Sequence, residues 1–352
     1  MREIVIVIRD LYLQPELTAS SVASSDQAAS PGVTAPAIDR LVRFGDRRTL
    51  PDGWRAWTAR WLGLPQYADA APARVAAADL AGVPPKGTVW LATPVHLIAG
   101  LTSLHFDRRS ILRLTDAELE TLADSFRDTF CGSGFDLRPL GGELLLIGPE
   151  MSPPATTTEP ARMLLTSVAE SLPVGAGARA LRQLSAEIEM WLHAHPLNEE
   201  RARRGALTVA TLWIWGGGAS AISPAAPARA EMMDVGFGSD PYVRGLLRLA
   251  EGETRPMPLD WAAVIVAPRV QRALAVVEVA ELLHANESWR VADAVADIDR
   301  RLISPALDAL RRGKLDRLVL LANDRCCSLR RANRWRPWRY LRSRRGVLEG
   351  LA

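Results

Sequence analysis

The apolar positions along the chain gather into short, solid runs separated by longer amphipathic stretches. Seven runs read as strands, at 4–8, 88–97, 143–147, 211–215, 263–267, 274–279 and 318–321. Several are apolar throughout rather than alternating, the pattern of parallel strands buried on both faces. The stretches between them carry helical spacing. Thr115 and Glu118 form a capping box ahead of a stripe of Leu119, Leu122 and Phe126. Leu181, Leu184, Ile188, Trp191 and Leu192 make a second stripe, and Val291, Val295, Ile298 and Leu302 a third. Strands alternating with helices predict an α/β fold, a doubly wound and mostly parallel sheet with helices on both faces.

Three stretches depart from this alternation. Residues 17–36 are small and polar and read as a mobile loop. Residues 87–149 read strand, helix, strand with glycines at both ends, which predicts a small inserted α+β cap between core segments 1–86 and 150–352. Residues 219–260 are rich in Ala, Gly and Pro and show few periodic signals.

Composition adds limits. A chain of 352 residues can bury a large core. The opening MREIVIVIRD has no basic region leading into an apolar one, and no apolar run approaches the ~20 residues of a membrane span. Three cysteines, Cys131, Cys326 and Cys327, do not make a disulfide framework. These features together predict a cytoplasmic protein. The net charge of +3 is unevenly spread, because residues 325–345 hold nine Arg and no acid. The rest of the chain has 34 basic against 40 acidic residues.

Three segments, IVIVIRD with APAIDRLVRFG, HPLNEERARRGALTVATLWIWGGG and VADAVADIDRRLISPALDAL, carry a resemblance. Together they resemble the archaeal-type cofactor-independent phosphoglycerate mutases of the alkaline phosphatase superfamily. The HPLN segment and the Arg/Trp-rich tail are also similar to an uncharacterised bacterial group of RpfE-type regulatory proteins. The first resemblance implies two-metal phosphoryl chemistry, in which carboxylates and imidazoles hold two ions around a hydroxyl nucleophile. It places Asp10 and Asp324 at metal positions. Trp54 falls where the nucleophile is expected, and Thr58 is the nearest hydroxyl. Arg325 falls where an imidazole is expected, and a guanidinium has no lone pair for a metal. LLHANESWR keeps only His284 and Glu287 of a metal-binding stretch, in the wrong spacing.

Most of the metal ligands are therefore missing. Asp10 and Asp324 can be a residual Mn²⁺ or Mg²⁺ site, or strand-end polar residues held by hydrogen bonds. Arg325 with backbone amides would suit an anion. In the HPLN segment His195 lies at a helix end, where an imidazolium interacts favourably with the dipole. Asn198 and Arg201 could reach a small anionic ligand, and Gly216 and Gly217 could let backbone amides approach it. The same residues could instead fix a buried loop. The tail interleaves Arg with Trp335, Trp338 and Tyr340. That composition suits nucleic acid or an anionic surface, and equally suits packing on its own domain. The expectation is a degenerate phosphoglycerate mutase-like protein with a binding or regulatory role and a small-anion or protein partner. An altered-site phosphomutase or phosphatase, or a nucleic-acid binder, stands as the alternative.

Overall fold

The computed structural model describes residues 2–11, 35–80, 87–100, 104–105, 107–150, 155–163, 167–218, 234–266 and 270–333. The expected loop at 17–36 and the tail beyond 333 lie almost wholly or wholly outside these. The chain divides into two compact units: Met1–Trp57 with Arg229–Gly238 and Gly252–Ala352, and Thr58–Ala228 with Ser239–Glu251.

The first unit is built on a mixed, mostly parallel seven-stranded sheet. Its order is Glu253–Arg255, Asp234–Phe237, Arg272–Val277, Glu3–Ile8, Arg317–Ala322, Arg325–Arg330, Asp46–Thr49. The first five strands pair in parallel and the last two antiparallel. Glu3–Ile8 (EIVIVI) is central and buried at every position, as its unbroken apolar run requires. Ile4, Ile6 and Ile8 share one face and pack into a core with Ile38, Leu41, Val295, Ile298, Leu307 and Leu310. The helices Pro36–Phe44, Val279–Ala285, Val291–Ile298 and Ser304–Arg311 all contribute to that core. Val5 and Val7, on the opposite face, are buried as well.

Between the last two long helices, residues 299–303 form a π-helical turn. There Asp299 accepts the backbone N–H groups of Ala37 at 3.2 Å and Ile38 at 2.6 Å, which caps the helix Pro36–Phe44 from a distant part of the chain. Two of the segments that carry the resemblance thus meet through one carboxylate.

The second unit holds a four-stranded antiparallel sheet in the order Asp136–Leu140, Glu143–Gly148, Thr88–Val95, Thr211–Gly218. Its core joins Trp90, Leu144 and Leu146 to Leu122 and Phe126 of the helix Asp116–Thr129, and to Leu181 and Ile188 of the helix Ala178–His193. The boundaries expected at 87 and 149 fall inside this unit. That stretch supplies three strands of this sheet and one helix of its core, and a fourth strand and a second helix from outside it complete the core.

Three other expectations differ from the structure. Of the apolar run expected as a strand at 263–267, residues 263–266 belong to a helix, Trp261–Val266, whose start is marked by the Ala263 N–H donating to Asp260 at 3.2 Å. A solid apolar run of this length fits either a buried strand or a buried helix, and the local capping decides it. The stretch 219–260 contains the strands Asp234–Phe237 and Glu253–Arg255 and the helix Pro241–Leu249, which Asp240 caps. Residues 325–330 are a sheet strand with Cys326, Cys327 and Leu329 buried, so the basic tail starts later than its Arg count suggests.

Candidate functional site

Open α/β sheets place their ligand sites beyond the carboxyl ends of parallel strands. In the first unit that edge is occupied by Arg9, Asp10 and Glu278. The parallel ladder between Glu3–Ile8 and Arg272–Val277 runs one step further, with the Arg9 N–H donating to the Val277 carbonyl at 3.0 Å. Each chain then turns. The Asp10 carboxylate, 2% exposed, accepts the Val279 N–H at 2.6 Å and the Ala280 N–H at 2.7 Å. It therefore holds the amino end of the helix Val279–Ala285, where free N–H groups and the helix dipole both favour an anion. Beside it the Arg9 guanidinium donates to the Glu278 carboxylate at 2.8 Å, both groups being buried. A buried pair of this kind compensates each partner's desolvation only while both are present. Arg9 and Glu278 went unmarked in the sequence, although one precedes Asp10 and the other is next to last in a predicted strand.

Asp324 lies in a turn between two antiparallel strands. Asn323 and Asp324 both have positive φ, 52° and 54°, and join the antiparallel strands Arg317–Ala322 and Arg325–Arg330. They are the two central residues of a tight hairpin, a place where Asn and Asp tolerate the left-handed conformation better than other side chains. The Asp324 carbonyl accepts the Leu50 N–H at 2.7 Å. Arg325 opens the returning strand opposite Ala322 and Thr49. Thr58 is fully buried on the helix Gly53–Trp61. Trp54, on the same helix, is buried beneath the Arg55 guanidinium, 4.5 Å from its ring centre.

In the second unit the HPLN residues form an internal clasp. His195 is the N-cap of the helix Pro196–Arg203, and its Nδ1 accepts the Leu197 N–H at 3.1 Å. An accepting ring nitrogen requires the neutral imidazole, and burial holds the His195 pKa below its ordinary value. The expected imidazolium at a helix carboxyl end is thus replaced by a neutral cap at the next helix's amino end. Trp191 meets the ring edge-on at 5.0 Å. The Asn198 amide donates to the Leu192 and Val209 carbonyls and accepts the Val209 N–H, each at 2.8 Å. Arg201 donates to the Leu207 carbonyl at 2.8 Å and to Glu118 at 2.7 Å. Desolvation would raise the Glu118 pKa, but the Thr115 N–H and the Arg201 guanidinium outweigh it and hold the carboxyl below its usual range. These polar atoms point into the fold.

The glycine triplet follows the same logic. The strands Thr88–Val95 and Thr211–Gly218 change register between Val89 and Leu91, which makes a bulge at Gly216 and Gly217. Gly216 has φ +65° and donates its N–H to the Thr157 hydroxyl at 3.0 Å. A Cβ on Gly217 would lie 2.0 Å from Cδ1 of Trp90. The glycine is there to admit an indole. Trp215, at the position where the resemblance implies an Arg, is buried and donates from Nε1 to the Thr93 hydroxyl at 2.8 Å.

Among the described residues no group of three or more His, Cys, Asp or Glu side chains is arranged to hold a metal ion. A cleft of about 470 Å³ in the first unit is lined by Trp289, Asp293, Asp297, Asp299 and Arg300. Its carboxylates are engaged: Asp293 by the Arg290 N–H, Asp297 by Arg300 and Arg301, and Asp299 by the cap described above. Among the described residues no helix is long and apolar enough to cross a membrane.

No family model matches this chain, and no curated protein does. Among solved structures, a cofactor-independent phosphoglycerate mutase from Thermoplasma acidophilum is similar over 93% of this chain and 89% of its own, at 18% identity and a TM-score of 0.38. A protein from Pyrococcus horikoshii is similar over 93% of this chain and 86% of its own, at 13% identity and a TM-score of 0.45.

Proposed function

We propose that this chain is a degenerate phosphomutase-like protein that acts by binding rather than by phosphoryl transfer. The observation that carries the reading is the use of Asp10. Both of its oxygens take backbone N–H groups of a helix start, so the carboxylate expected to hold a metal holds the fold. The other retained acid, Asp324, serves a hairpin turn, and the position expected for the nucleophile is a buried Trp54. In the segments that resemble phosphoglycerate mutases, Asp299 and the HPLN residues are bonded within this chain's own fold.

The test pairs an activity with a stability measurement. Purified protein with Mn²⁺ or Mg²⁺ is assayed for interconversion of 2- and 3-phosphoglycerate, and wild type and Asp10→Ala are unfolded in urea with and without chelator. We expect no interconversion above the buffer rate and no effect of chelator on wild-type stability. Asp10→Ala should lose about 2–3 kcal/mol, since it strands two buried donors that now bond a charged group. Interconversion at an ordinary enzymatic rate, abolished by chelator, would establish the altered-site phosphomutase instead.

A further inference from the structure

The sheet of the first unit has two outermost strands, and they differ in charge. Asp46–Thr49 carries exposed Arg47 and Arg48, which would set like charges against a copy of the same strand. Glu253–Arg255 (ETR) holds one acid and one base on either side of Thr254. The two charged groups share a face and bond each other through both nitrogens and both oxygens, Nε to Oε1 and an Nη to Oε2, each at 2.7 Å. This strand is therefore neutral, with its charges in a fixed order.

Its free side is set by the ladder it belongs to. Glu253–Arg255 runs parallel to Asp234–Phe237, with Glu253 opposite Val235 and Arg255 opposite Phe237. The Gly238 N–H donates to the Arg255 carbonyl at 3.2 Å, so Arg255 turns its main-chain groups into the sheet. By alternation Thr254 turns its N–H and C=O outward, and Thr254 and Arg255 are both exposed. Among the described residues no backbone bond from outside the ladder reaches Thr254. Pro256 follows and has no N–H to offer, which keeps the open stretch short.

We propose that this edge pairs antiparallel with the same edge of a second copy of the chain, about a two-fold axis at Thr254. Thr254 then exchanges N–H and C=O bonds with the partner's Thr254. Glu253 comes opposite the partner's Arg255, and Arg255 opposite the partner's Glu253, with Cα atoms ~4.5 Å apart. The four groups make a ring of alternating charge that leaves each pair within a strand intact. A register shifted by two residues sets Glu253 or Arg255 against its own kind, so the charges select one alignment. A second copy supplies the reversed order of charge by symmetry, which singles it out over an unrelated strand. Leu259, four residues past Arg255, is 97% exposed, and an antiparallel copy carries this apolar group past the start of the opposing strand. Three residues a side fall well short of the roughly 20–30 of a standard interface, so the dimer is weak and reversible. This inference is independent of the reading of Asp10.

The experiment is sedimentation velocity on the full chain over a concentration series. Wild type should pass from monomer to dimer and go no further, because an isologous contact closes on itself. Thr254→Pro removes the outward N–H without touching the bonds to Asp234–Phe237, and should raise the dimer Kd at least tenfold. Glu253→Arg and Arg255→Glu should each do the same, while an equal mixture of these two variants should regain dimer to within about threefold of wild type, since opposite charges again face each other. Circular dichroism confirms folding, and the mixing result decides the matter even if Thr254→Pro fails to fold. Arg47→Glu/Arg48→Glu, on the other edge, should change Kd less than twofold. The proposal is overturned by a wild type that stays monomeric or grows beyond a dimer, by a folded Thr254→Pro that dimerises like wild type, by a mixture that stays monomeric, or by an equal loss in the Arg47/Arg48 control.

Discussion

At His195 a single proton separates a helix cap from a buried misfit. The neutral ring accepts the Leu197 N–H at the amino end of the helix Pro196–Arg203. An imidazolium there would lose its acceptor and face the positive end of the helix dipole. Burial accordingly holds the folded-state pKa below the ordinary value of 6.5. The sign of the linkage follows. Below 6.5 the unfolded chain takes up the proton more readily than the folded one. The stabilisation is therefore whole above 6.5 and is lost as pH falls from there through the depressed folded pKa. Urea midpoints measured between pH 8 and pH 4 should drop in that window for wild type. His195→Asn keeps a cap acceptor without a titrating group, and should remove that part of the drop. An unchanged pH profile in the variant would mean that the ring does not titrate with unfolding.

Among the elements, the bulge between Thr88–Val95 and Thr211–Gly218 shows how two distant residues define each other. Trp90 lies flat where a Cβ of Gly217 would be, so Gly217→Ala must push the indole or the strand. Overpacking of this kind costs about 1–3 kcal/mol. Trp90→Leu should relieve it, and a double-mutant cycle in urea should return a coupling of at least ~1 kcal/mol between the two positions. Additive losses would mean that the indole does not set the glycine. This pair also marks where sequence reading stops. WIWGGG was legible as a strand running into glycines, but a triplet that admits a ligand and one that admits an indole look alike until Trp90 is brought across. Asn323 and Asp324 carry the same ambiguity: an acid at a strand end could bind a metal or turn a hairpin. The capping box at Thr115 and the buried run at 4–8 were legible because each is settled by neighbours within a few residues. The run at 263–267 was not, because its length allowed helix or strand and its deciding cap, Asp260, lay just outside it.

At the level of the whole chain, the first unit is assembled from pieces far apart in sequence, and its stability should show it. The central strand Glu3–Ile8 has Arg272–Val277 on one side and Arg317–Ala322 on the other, both in parallel register over six residues. Every backbone group that Glu3–Ile8 commits to the sheet is thus closed by chain some 270–310 residues away. Contacts of that separation form late, because loop closure is unfavourable until the packing that offsets it is in place. No local hairpin can protect residues 3–8 in the interim. Their amides should therefore open only with those of 272–277 and 317–322, as one cooperative block. Native-state hydrogen exchange followed across low denaturant tests this directly. The three segments should share one opening free energy and one denaturant slope, while Glu253–Arg255, a three-residue edge strand with Thr254 and Arg255 exposed, should open at lower cost. If residues 3–8 exchanged with a smaller slope than 272–277, the central strand would be opening alone. The parallel core would then be weaker than its burial implies.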